Sequence, residues 1–394
     1  MSRITFKNAN LVLPDRLLPG ACLAMQGGVI RAVGHPDLIG GEVIDLGEAF
    51  LAPGFIDLHV HGGDGADFMD ATPEAFRTAC RCHARHGTTA LTPTSTVARF
   101  DQYVRFLELC GEFAGADTGG ARVLGGHLYG PYFAKEAKGC HPVRDFLTPD
   151  PARDDRLLAF ARQGLTTLTV APELPGAERL ARAARDRQLL VTAGHSYATF
   201  PQVEAAVGWG VRHIDHLFCA MSDRARLRQA QTFPMRGGVM EAALYFDELT
   251  TEVIADGKHL TADLLRLAYK VKGPDRLALV TDAMRAVDRP DGEYWFGPDG
   301  DGELVRRRDG VGVTLDGEAL ASGVMGMDHC VRTFHRLTGA PLHEAILMAT
   351  LTPARILGVD QRYGSLEVGK AADLVVLDAE LNVEQVYVGG ARVV

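Results

Sequence analysis

The chain has 394 residues, of which 46% are hydrophobic and 23% are charged, and its formal net charge is -9. This composition excludes a mostly disordered chain and supplies enough apolar material for a large core. Scattered basic residues argue against a nucleic-acid partner, and no apolar run reaches the roughly 18 residues of a membrane span. The amino terminus lacks the apolar segment of a signal peptide, so we expect a cytoplasmic protein without a membrane partner.

Short β-strands separated by Gly, Pro and Asp turns are predicted at both ends of the chain. At the amino end they span 4–6, 22–25 and 29–33, and at the carboxyl end they span 374–377, 386–388 and 391–394. Two β-rich ends around a different middle predict one small β-sandwich domain formed by both termini, with its first part in residues 1–53 and its second in residues 359–394.

Eight apolar runs in the middle of the chain alternate with helical or polar segments. They cover 55–61, 88–94, 122–127, 165–171, 189–195, 211–218, 252–256 and 277–282. Helical periodicity between them includes 73–86 and 177–187. Eight such β-then-α units predict an α/β protein with a parallel (β/α)8 TIM-like barrel over residues 54–358. The Gly-, Asp- and Pro-rich stretch at about 285–318 predicts a hairpin insertion after the eighth strand.

Polar residues at the carboxyl ends of these strands are the candidate site, because barrel enzymes carry their sites there. His59 and His61 lie two apart in the first strand and therefore project to the same face. His195, His216 and Asp282 end the fifth, sixth and eighth strands. Imidazoles and a carboxylate that meet at one mouth are ligands for zinc or iron(II). Taken alone, the first pair would more often be two hydrogen-bonded interior histidines, but the other strand ends favour a metal site.

The segment 53–61, PGFIDLHVH, resembles the signature of the amidohydrolase superfamily. Within that superfamily the chain is similar to the deacetylases of N-acetylated amino sugar phosphates, through segments that run in order over nearly the whole chain: 62–70, 138–142, 194–196, 216–221, 256–259, 280–283 and 364–374. The resemblance implies a metal-dependent hydrolase that removes acetate from N-acetylglucosamine 6-phosphate or a closely related N-acetyl amino sugar. It also implies a homodimer.

The resemblance assigns roles to the residues at the strand ends. It implies that His195 and His216 bind metal, that His59 and His61 match the metal-binding pair of those members that have it, and that Asp282 is the catalytic acid and base.

Residues in the loops receive roles from the same resemblance. His141 and His259 match histidines that contact the substrate, and either would stabilise the oxyanion formed during hydrolysis. Cys219 and Ala220 match a loop that touches the phosphate, and Arg236 is the candidate for the phosphate guanidinium. Lys258 and Lys138 are the other basic residues in motif positions that could bind the phosphate.

Three positions differ from the family pattern. Tyr129 stands where the family carries a metal-binding glutamate, Cys219 stands where it carries asparagine, and Arg236 lies in MRGG where it has an Arg-Glu-Pro-Gly run. A neutral phenol is a poor ligand for a divalent ion near neutral pH. We therefore expect Tyr129 either to donate a hydrogen bond to the substrate or to fill the space.

Ligand counting then predicts a single metal ion, zinc with iron as the alternative. His59, His61, His195 and Asp282 would hold it with one position open for water, and His216 would lie beside it as a hydrogen-bonding group. The missing glutamate leaves two other functions open at this point. One is a single-metal deaminase or cyclic-amide hydrolase, and the other is a catalytically weak paralogue, which the intact histidines argue against.

Overall fold

The computed structural model describes residues 3–34, 40–230 and 233–394, and it begins with a group of short strands. They are β1 (Ile4–Val12), β2 (Leu17–Gln26), β3 (Val29–Gly34), β4 (Glu42–Asp45) and β5 (Phe50–Pro53). β1 pairs antiparallel with β2 and parallel with β4 and β5.

A curled parallel sheet occupies the middle of the chain. Its strands are β6 (Phe55–Val60), β9 (Thr88–Pro93), β10 (Arg122–Val123), β11 (Gly126–Leu128), β12 (Leu165–Thr169), β13 (Leu190–Ala193), β14 (Val211–Ile214), β15 (Thr250–Ile254) and β16 (Leu277–Val280). A short hairpin, β7 (Gly62–Gly63) and β8 (Ala66–Asp67), follows β6. Each predicted run contains a parallel strand, but the third is split into β10 and β11, because Gly125 between them has a φ of 122°.

The parallel strands follow one another in chain order. β6, β9 and β10 form one ladder, and β11 to β16 form another. Isolated parallel bridges connect the two ladders at both sides, one between Thr94 and His127 and one between Val60 and Ala283. The carboxyl ends of all these strands therefore lie along the same edge of the curled sheet.

Helices alternate with the parallel strands, and several pack against the strand that comes next in the chain. Those in the described ranges are α1 (Pro73–Arg85), α2 (Phe100–Phe113), α3 (Pro151–Leu158), α4 (Ala177–Asp186), α5 (Phe200–Trp209), α6 (Arg224–Arg228), α7 (Val239–Tyr245), α8 (Ala262–Lys272), α9 (Met327–Thr338), α10 (Leu342–Met348) and α11 (Leu351–Ile356). α1 and α4 confirm the helical periodicity predicted at 73–86 and 177–187. α1 begins after Thr72, whose hydroxyl accepts a hydrogen bond from the backbone N–H of Ala75, and Pro73 takes its first position.

The segment predicted as a hairpin insertion carries three antiparallel strands, β17 (Gly292–Phe296), β18 (Glu303–Arg308) and β19 (Val311–Thr314). Phe296 at the end of β17 is buried, and its ring centroid lies 4.9 Å from that of His61. This segment therefore lies against the carboxyl edge of the curled sheet.

The chain ends with β20 (Leu374–Leu377), β21 (Val383–Val388) and β22 (Ala391–Arg392). β20 pairs antiparallel with β5, with Val376 opposite Leu51, and this pairing joins both ends of the chain into one eight-stranded sheet of the described residues. Phe6, Leu51 and Tyr387 belong to the buried cluster of this sheet. Among the described helices, none has the length and apolarity needed to cross a membrane.

Two glycines let α2 lie directly against the turn before β12. A Cβ added to Gly111 would lie 2.1 Å from the carbonyl oxygen of Gln163, and one added to Gly164 would lie 2.4 Å from the carbonyl oxygen of Leu107. Gly208 in α5 differs, since an added Cβ there would meet no atom within 4 Å.

We expect Gly111→Ala to lower the free energy of unfolding by about 1–3 kcal/mol, because its methyl group must push a backbone carbonyl away. Gly208→Ala is the matched control in another helix, and it should raise the stability by up to about 1 kcal/mol, since alanine favours the helix. Urea unfolding measures both values. Similar stability changes in the two variants would contradict this packing.

Candidate metal and active site

The predicted site residues meet at the carboxyl edge of the curled sheet. His59 is in β6 with His61 just beyond it, and His195, His216 and Asp282 each lie two residues past the ends of β13, β14 and β16. The last three have φ values of 44°, 23° and 46°. Residues other than glycine rarely adopt this region, which costs about 1–3 kcal/mol each, so the surrounding structure must hold these side chains in place.

His59, His61 and Asp282 form a compact group of candidate ligands at this edge. One ligand atom from each lies within 4.8 Å of the others. The Nε2 atoms of His59 and His61 are 3.5 Å and 3.1 Å from Asp282 Oδ1. His195 and His216 adjoin this group, and the ring centroid of His216 is 5.4 Å from that of His59.

Hydrogen bonds at Nδ1 orient three of these imidazoles. His59 Nδ1 donates to Glu252 (2.7 Å), His61 Nδ1 donates to the carbonyl of Thr94 (3.1 Å), and His195 Nδ1 donates to the carbonyl of Ala137 (2.7 Å). A neutral imidazole that donates from Nδ1 has a lone pair on Nε2. This is the arrangement in which metal-binding histidines are usually held.

The donor set fits a divalent cation. His59 Nε2 and His216 Nδ1 are buried without a hydrogen-bond partner in the described structure. His61 Nε2 lies 3.1 Å from Asp282 Oδ1, so a nitrogen and a carboxylate oxygen lie side by side where one cation could bind both. Imidazole nitrogens and a carboxylate oxygen are the ligands that zinc and iron(II) accept.

The carboxylates govern the proton affinity of the group. Burial lowers the pKa of an imidazole, but the negative charges of Glu252 and Asp282 outweigh it and raise the pKa of His59 to about 9. Burial would raise the pKa of Asp282, yet His59 and His61 hold it below its usual range. Burial, together with neighbouring His141, places the pKa of His195 well below the ordinary value, so this side chain stays neutral.

Glu252 in β15 is a site residue that the sequence did not reveal. Its carboxylate accepts hydrogen bonds from His59, from His213 Nε2 (3.1 Å) and from the backbone N–H of His216 (3.1 Å). One side chain thus ties β6 to the end of β14. The available signal was a glutamate at the start of the predicted apolar run 252–256, since charged residues are rare in buried strands unless they are paired.

Tyr129 follows β11 and lies among the histidines. Its Oη is 2.5 Å from His216 Nε2, and its ring centroid is 4.5 Å from that of His59. Burial and the charge of Asp282 raise the pKa of Tyr129 well above its ordinary value, so the phenol keeps its proton. The position that the family pattern gives to a metal-binding glutamate therefore holds a neutral hydroxyl.

A pocket with a volume of about 460 Å³ opens above this group. Of the residues predicted from the sequence, its lining includes His61, Tyr129, His141, His195, His216, Cys219, Ala220, His259 and Asp282. His59 lies beneath it and is fully buried.

The basic residues of the pocket match the prediction only in part, since Lys138 is in the lining and Lys258 is not. Arg236 is exposed and lies outside the lining, whereas Lys138 and Arg226 belong to it. Arg226 comes from the short helix α6, so a search for polar residues at the ends of strands does not find it.

Two further histidines are aimed by their neighbours. His259 Nδ1 donates to Asp256 Oδ2 (2.7 Å), and although burial opposes protonation, this carboxylate raises the pKa of His259. The backbone N–H of Val97 donates to His141 Nδ1 (3.5 Å), which leaves the proton of neutral His141 on Nε2. His259 can therefore meet an anionic group, and His141 can donate a hydrogen bond from Nε2.

Comparison with known proteins gives a consistent set of relatives. The chain is 35% identical over 368 residues to N-acetylgalactosamine-6-phosphate deacetylase of Escherichia coli O157:H7, with 93% of each chain covered. It is 34% identical over 352 residues to N-acetylglucosamine-6-phosphate deacetylase of Vibrio furnissii, with 89% of this chain and 85% of the relative covered.

Solved structures agree with these relatives. N-acetylglucosamine-6-phosphate deacetylase from Pasteurella multocida superposes with a TM-score of 0.91 at 30% identity over 99% of both chains. A mutant of the Mycobacterium smegmatis enzyme in complex with N-acetyl-D-glucosamine-6-phosphate gives 0.91 at 29% identity over 100% of both chains. The model of the amidohydrolase family matches residues 50–393, which include every strand of the curled sheet. The chain belongs to the amidohydrolase family.

Proposed function

We propose that this protein is a metal-dependent hydrolase that removes acetate from N-acetylglucosamine 6-phosphate or a closely related N-acetyl amino sugar phosphate. The observation that carries the proposal is the convergence of His59, His61 and Asp282 beneath a pocket that also presents Lys138 and Arg226. The two histidines and the aspartate suit amide hydrolysis, and the lysine and the arginine suit the binding of a phosphate group. The relatives named for N-acetylgalactosamine 6-phosphate and N-acetylglucosamine 6-phosphate support both sugars as candidates.

We also propose that the site lies in a closed barrel that carries a small second domain. The bridges from Thr94 to His127 and from Val60 to Ala283 support closure of the parallel strands into a (β/α)8 barrel over residues 54–358. Pairing of β5 with β20 supports a separate small β-sandwich domain made of residues 1–53 and 359–394. The three strands β17 to β19 would be an insertion at about 285–318.

We infer that one metal ion, zinc with iron as the alternative, is held by His59, His61, His195 and Asp282, with His216 beside it. Such an ion lowers the pKa of a water molecule toward about 7 and polarises the substrate carbonyl. Tyr129 supports a single ion, because a buried phenol that keeps its proton does not replace a carboxylate ligand.

Side chains of the protein would transfer the proton, stabilise the oxyanion and exclude water. Asp282 takes a proton from the attacking water and passes it to the leaving amine, since its carboxylate stays ionised beside His59 and His61. His141 donates from Nε2 to the amide oxygen as that oxygen gains negative charge. Phe296 and Phe133 cover the histidines and limit access of bulk water.

Recognition of the sugar phosphate would fall to basic residues of the pocket. Lys138, Arg226 and His259 belong to its lining, together with Cys219 and Ala220. Charge-assisted hydrogen bonds from such groups are the strong contacts available to a phosphate dianion.

We further propose a homodimer in the cytoplasm. Exposed apolar side chains of Met235 (55%) and Tyr245 (71%), near α7, support contact with a second copy. All seven cysteines lie in the described residues and none is in a disulfide there, which suits a reducing compartment. Light scattering of the purified protein tests the dimer.

Acetate release tests the proposed reaction. We expect the purified enzyme to release acetate from N-acetylglucosamine 6-phosphate or N-acetylgalactosamine 6-phosphate, and Asp282→Asn to lower kcat by about a hundred- to ten-thousand-fold, because it loses the base. Release of ammonia from a nucleobase, without acetate from either sugar, would instead establish the deaminase alternative. Absence of both reactions in metal-loaded protein would favour the weak paralogue.

Metal affinity should depend on pH through His59. Its pKa of about 9 means that the metal-free protein carries a proton there at lower pH, and the ion must displace it. Zinc affinity should therefore rise by about tenfold for each pH unit between pH about 6 and about 8, as titration against a competing chelator would measure.

Glu252→Gln is the control for this pH dependence. It keeps the hydrogen-bonding shape but removes the largest of the negative charges that raise the pKa of His59, so the steep region should move to lower pH. An unchanged pH profile in this variant would contradict the assignment.

Variants of Arg226 and Arg236 test whether the phosphate is bound by an arginine of the same chain or by one from a second copy. Arg226→Ala should raise KM for the 6-phosphate by about 10- to 100-fold with little change in kcat, because the phosphate is remote from the bond that breaks. Arg236→Ala is the matched variant, and we expect a smaller effect because Arg236 lies outside the pocket of its own chain. A larger effect from Arg236→Ala would place the contact on an arginine from a second copy.

A further inference from the structure

Tyr129 belongs to the pocket lining, and its hydroxyl is in direct contact with His216. We propose that Tyr129 is a catalytic residue: its O–H, aimed by His216, donates a hydrogen bond to the substrate's amide oxygen as water adds to the amide carbon. The proposal rests on the deacetylase function above and names a residue that stabilises the charge formed in that reaction.

The position of the proton on the His216 ring supports this role. Tyr129 Oη lies 2.5 Å from His216 Nε2, while His216 Nδ1 is buried without a hydrogen-bond partner in the described structure. If Tyr129 donated to Nε2, the proton of neutral His216 would sit on Nδ1 as a buried N–H with no acceptor, which is costly. With the proton on Nε2, His216 donates to Tyr129 Oη, and Nδ1 keeps a lone pair.

The phenol proton is then available to the pocket. Oη already accepts one hydrogen bond from His216, so its own O–H must find another acceptor. Tyr129 is part of the pocket lining, and its ring centroid lies 5.6 Å from that of His141. Tyr129 O–H and His141 Nε2–H would then be two donors for one carbonyl oxygen.

The position of the phenol is set before substrate arrives. The hydroxyl of Ser95 accepts a hydrogen bond from the backbone N–H of Tyr129 (2.9 Å) and donates to its carbonyl oxygen (3.0 Å). The ring packs edge-on against Phe133 at 4.8 Å and against His59 at 4.5 Å. A donor held this firmly need not reorganise when charge develops, and such donors stabilise oxyanions well.

The reaction balances without consuming the phenol. Water adds its oxygen to the amide carbon, the carbonyl oxygen becomes an oxyanion, and Asp282 carries a water proton to the nitrogen. The C–N bond then breaks to give acetate and the free amine. Tyr129 keeps its own proton throughout and supplies only a hydrogen bond.

The test compares Tyr129→Phe with Tyr132→Phe. Tyr132 is three residues away and equally buried, but its hydroxyl donates to Asp154 and is not part of the pocket. We expect Tyr129→Phe to lower kcat by about a hundred- to a thousand-fold with KM changed less than about threefold, and Tyr132→Phe to lower kcat less than about threefold. Metal content per chain should be the same in both variants and in the wild type.

Binding of a tetrahedral mimic gives a readout besides activity. Tyr129→Phe should weaken binding of the N-methylphosphonamidate of glucosamine 6-phosphate by about the same factor as it lowers kcat. If Tyr129→Phe does not fold, 3,5-difluorotyrosine at this position, a stronger donor of similar shape, should tighten that binding.

The outcomes separate the two proposals. Acetate release by wild type with kcat and mimic binding unchanged in Tyr129→Phe would overturn the catalytic role and leave the deacetylase function standing. Loss of metal together with activity in Tyr129→Phe would also overturn it, since the phenol would then act on the metal site. Failure of the wild type to release acetate would overturn the proposed function itself, and the role of Tyr129 with it.

Discussion

Two buried carboxylates share one imidazole at the base of the pocket. His59 Nδ1 lies 2.7 Å from Glu252, and its Nε2 lies 3.5 Å from Asp282. Buried charges destabilise a fold unless they are paired, so the place of each group constrains the other two. Glu252 also accepts the backbone N–H of His216, which fixes the chain at the end of β14. One side chain on β15 therefore aligns candidate ligands from two other strands before any ion binds.

Preorganisation extends from the hydrogen bonds to the backbone. His195, His216 and Asp282 all sit in the left-handed region just after their strands, a conformation that the fold must maintain at a cost. Below them, the buried carboxylate of Asp57 accepts a hydrogen bond from the hydroxyl of Thr281 (2.5 Å) and so connects β6 to the end of β16. The strain is thus located at the strand ends, where the side chains that meet the substrate must point inward, and it is supported by polar contacts deeper in the sheet.

Strand periodicity and the polar residues that end each strand were sufficient to predict the parallel strands and to bring His59, His61 and Asp282 together. Glu252 was not predictable in this way, because its partner His59 is 193 positions distant and no local pattern encodes a contact across a curled sheet. Arg226 was missed for a related reason: its place at the pocket depends on how the loop after β14 folds back. Resemblance to relatives instead favoured Arg236, which lies outside the lining of this pocket.

Tyr129 occupies the place of an expected metal ligand with a group that keeps its proton. We therefore predict one metal ion per chain beneath the pocket. Anomalous diffraction from crystals of the zinc-loaded protein measures this most directly. One peak, in contact with His59, His61 and Asp282 and with Tyr129 still hydrogen-bonded to His216, is the predicted result. Two fully occupied peaks, or a single peak bound to the oxygen of Tyr129, would contradict it.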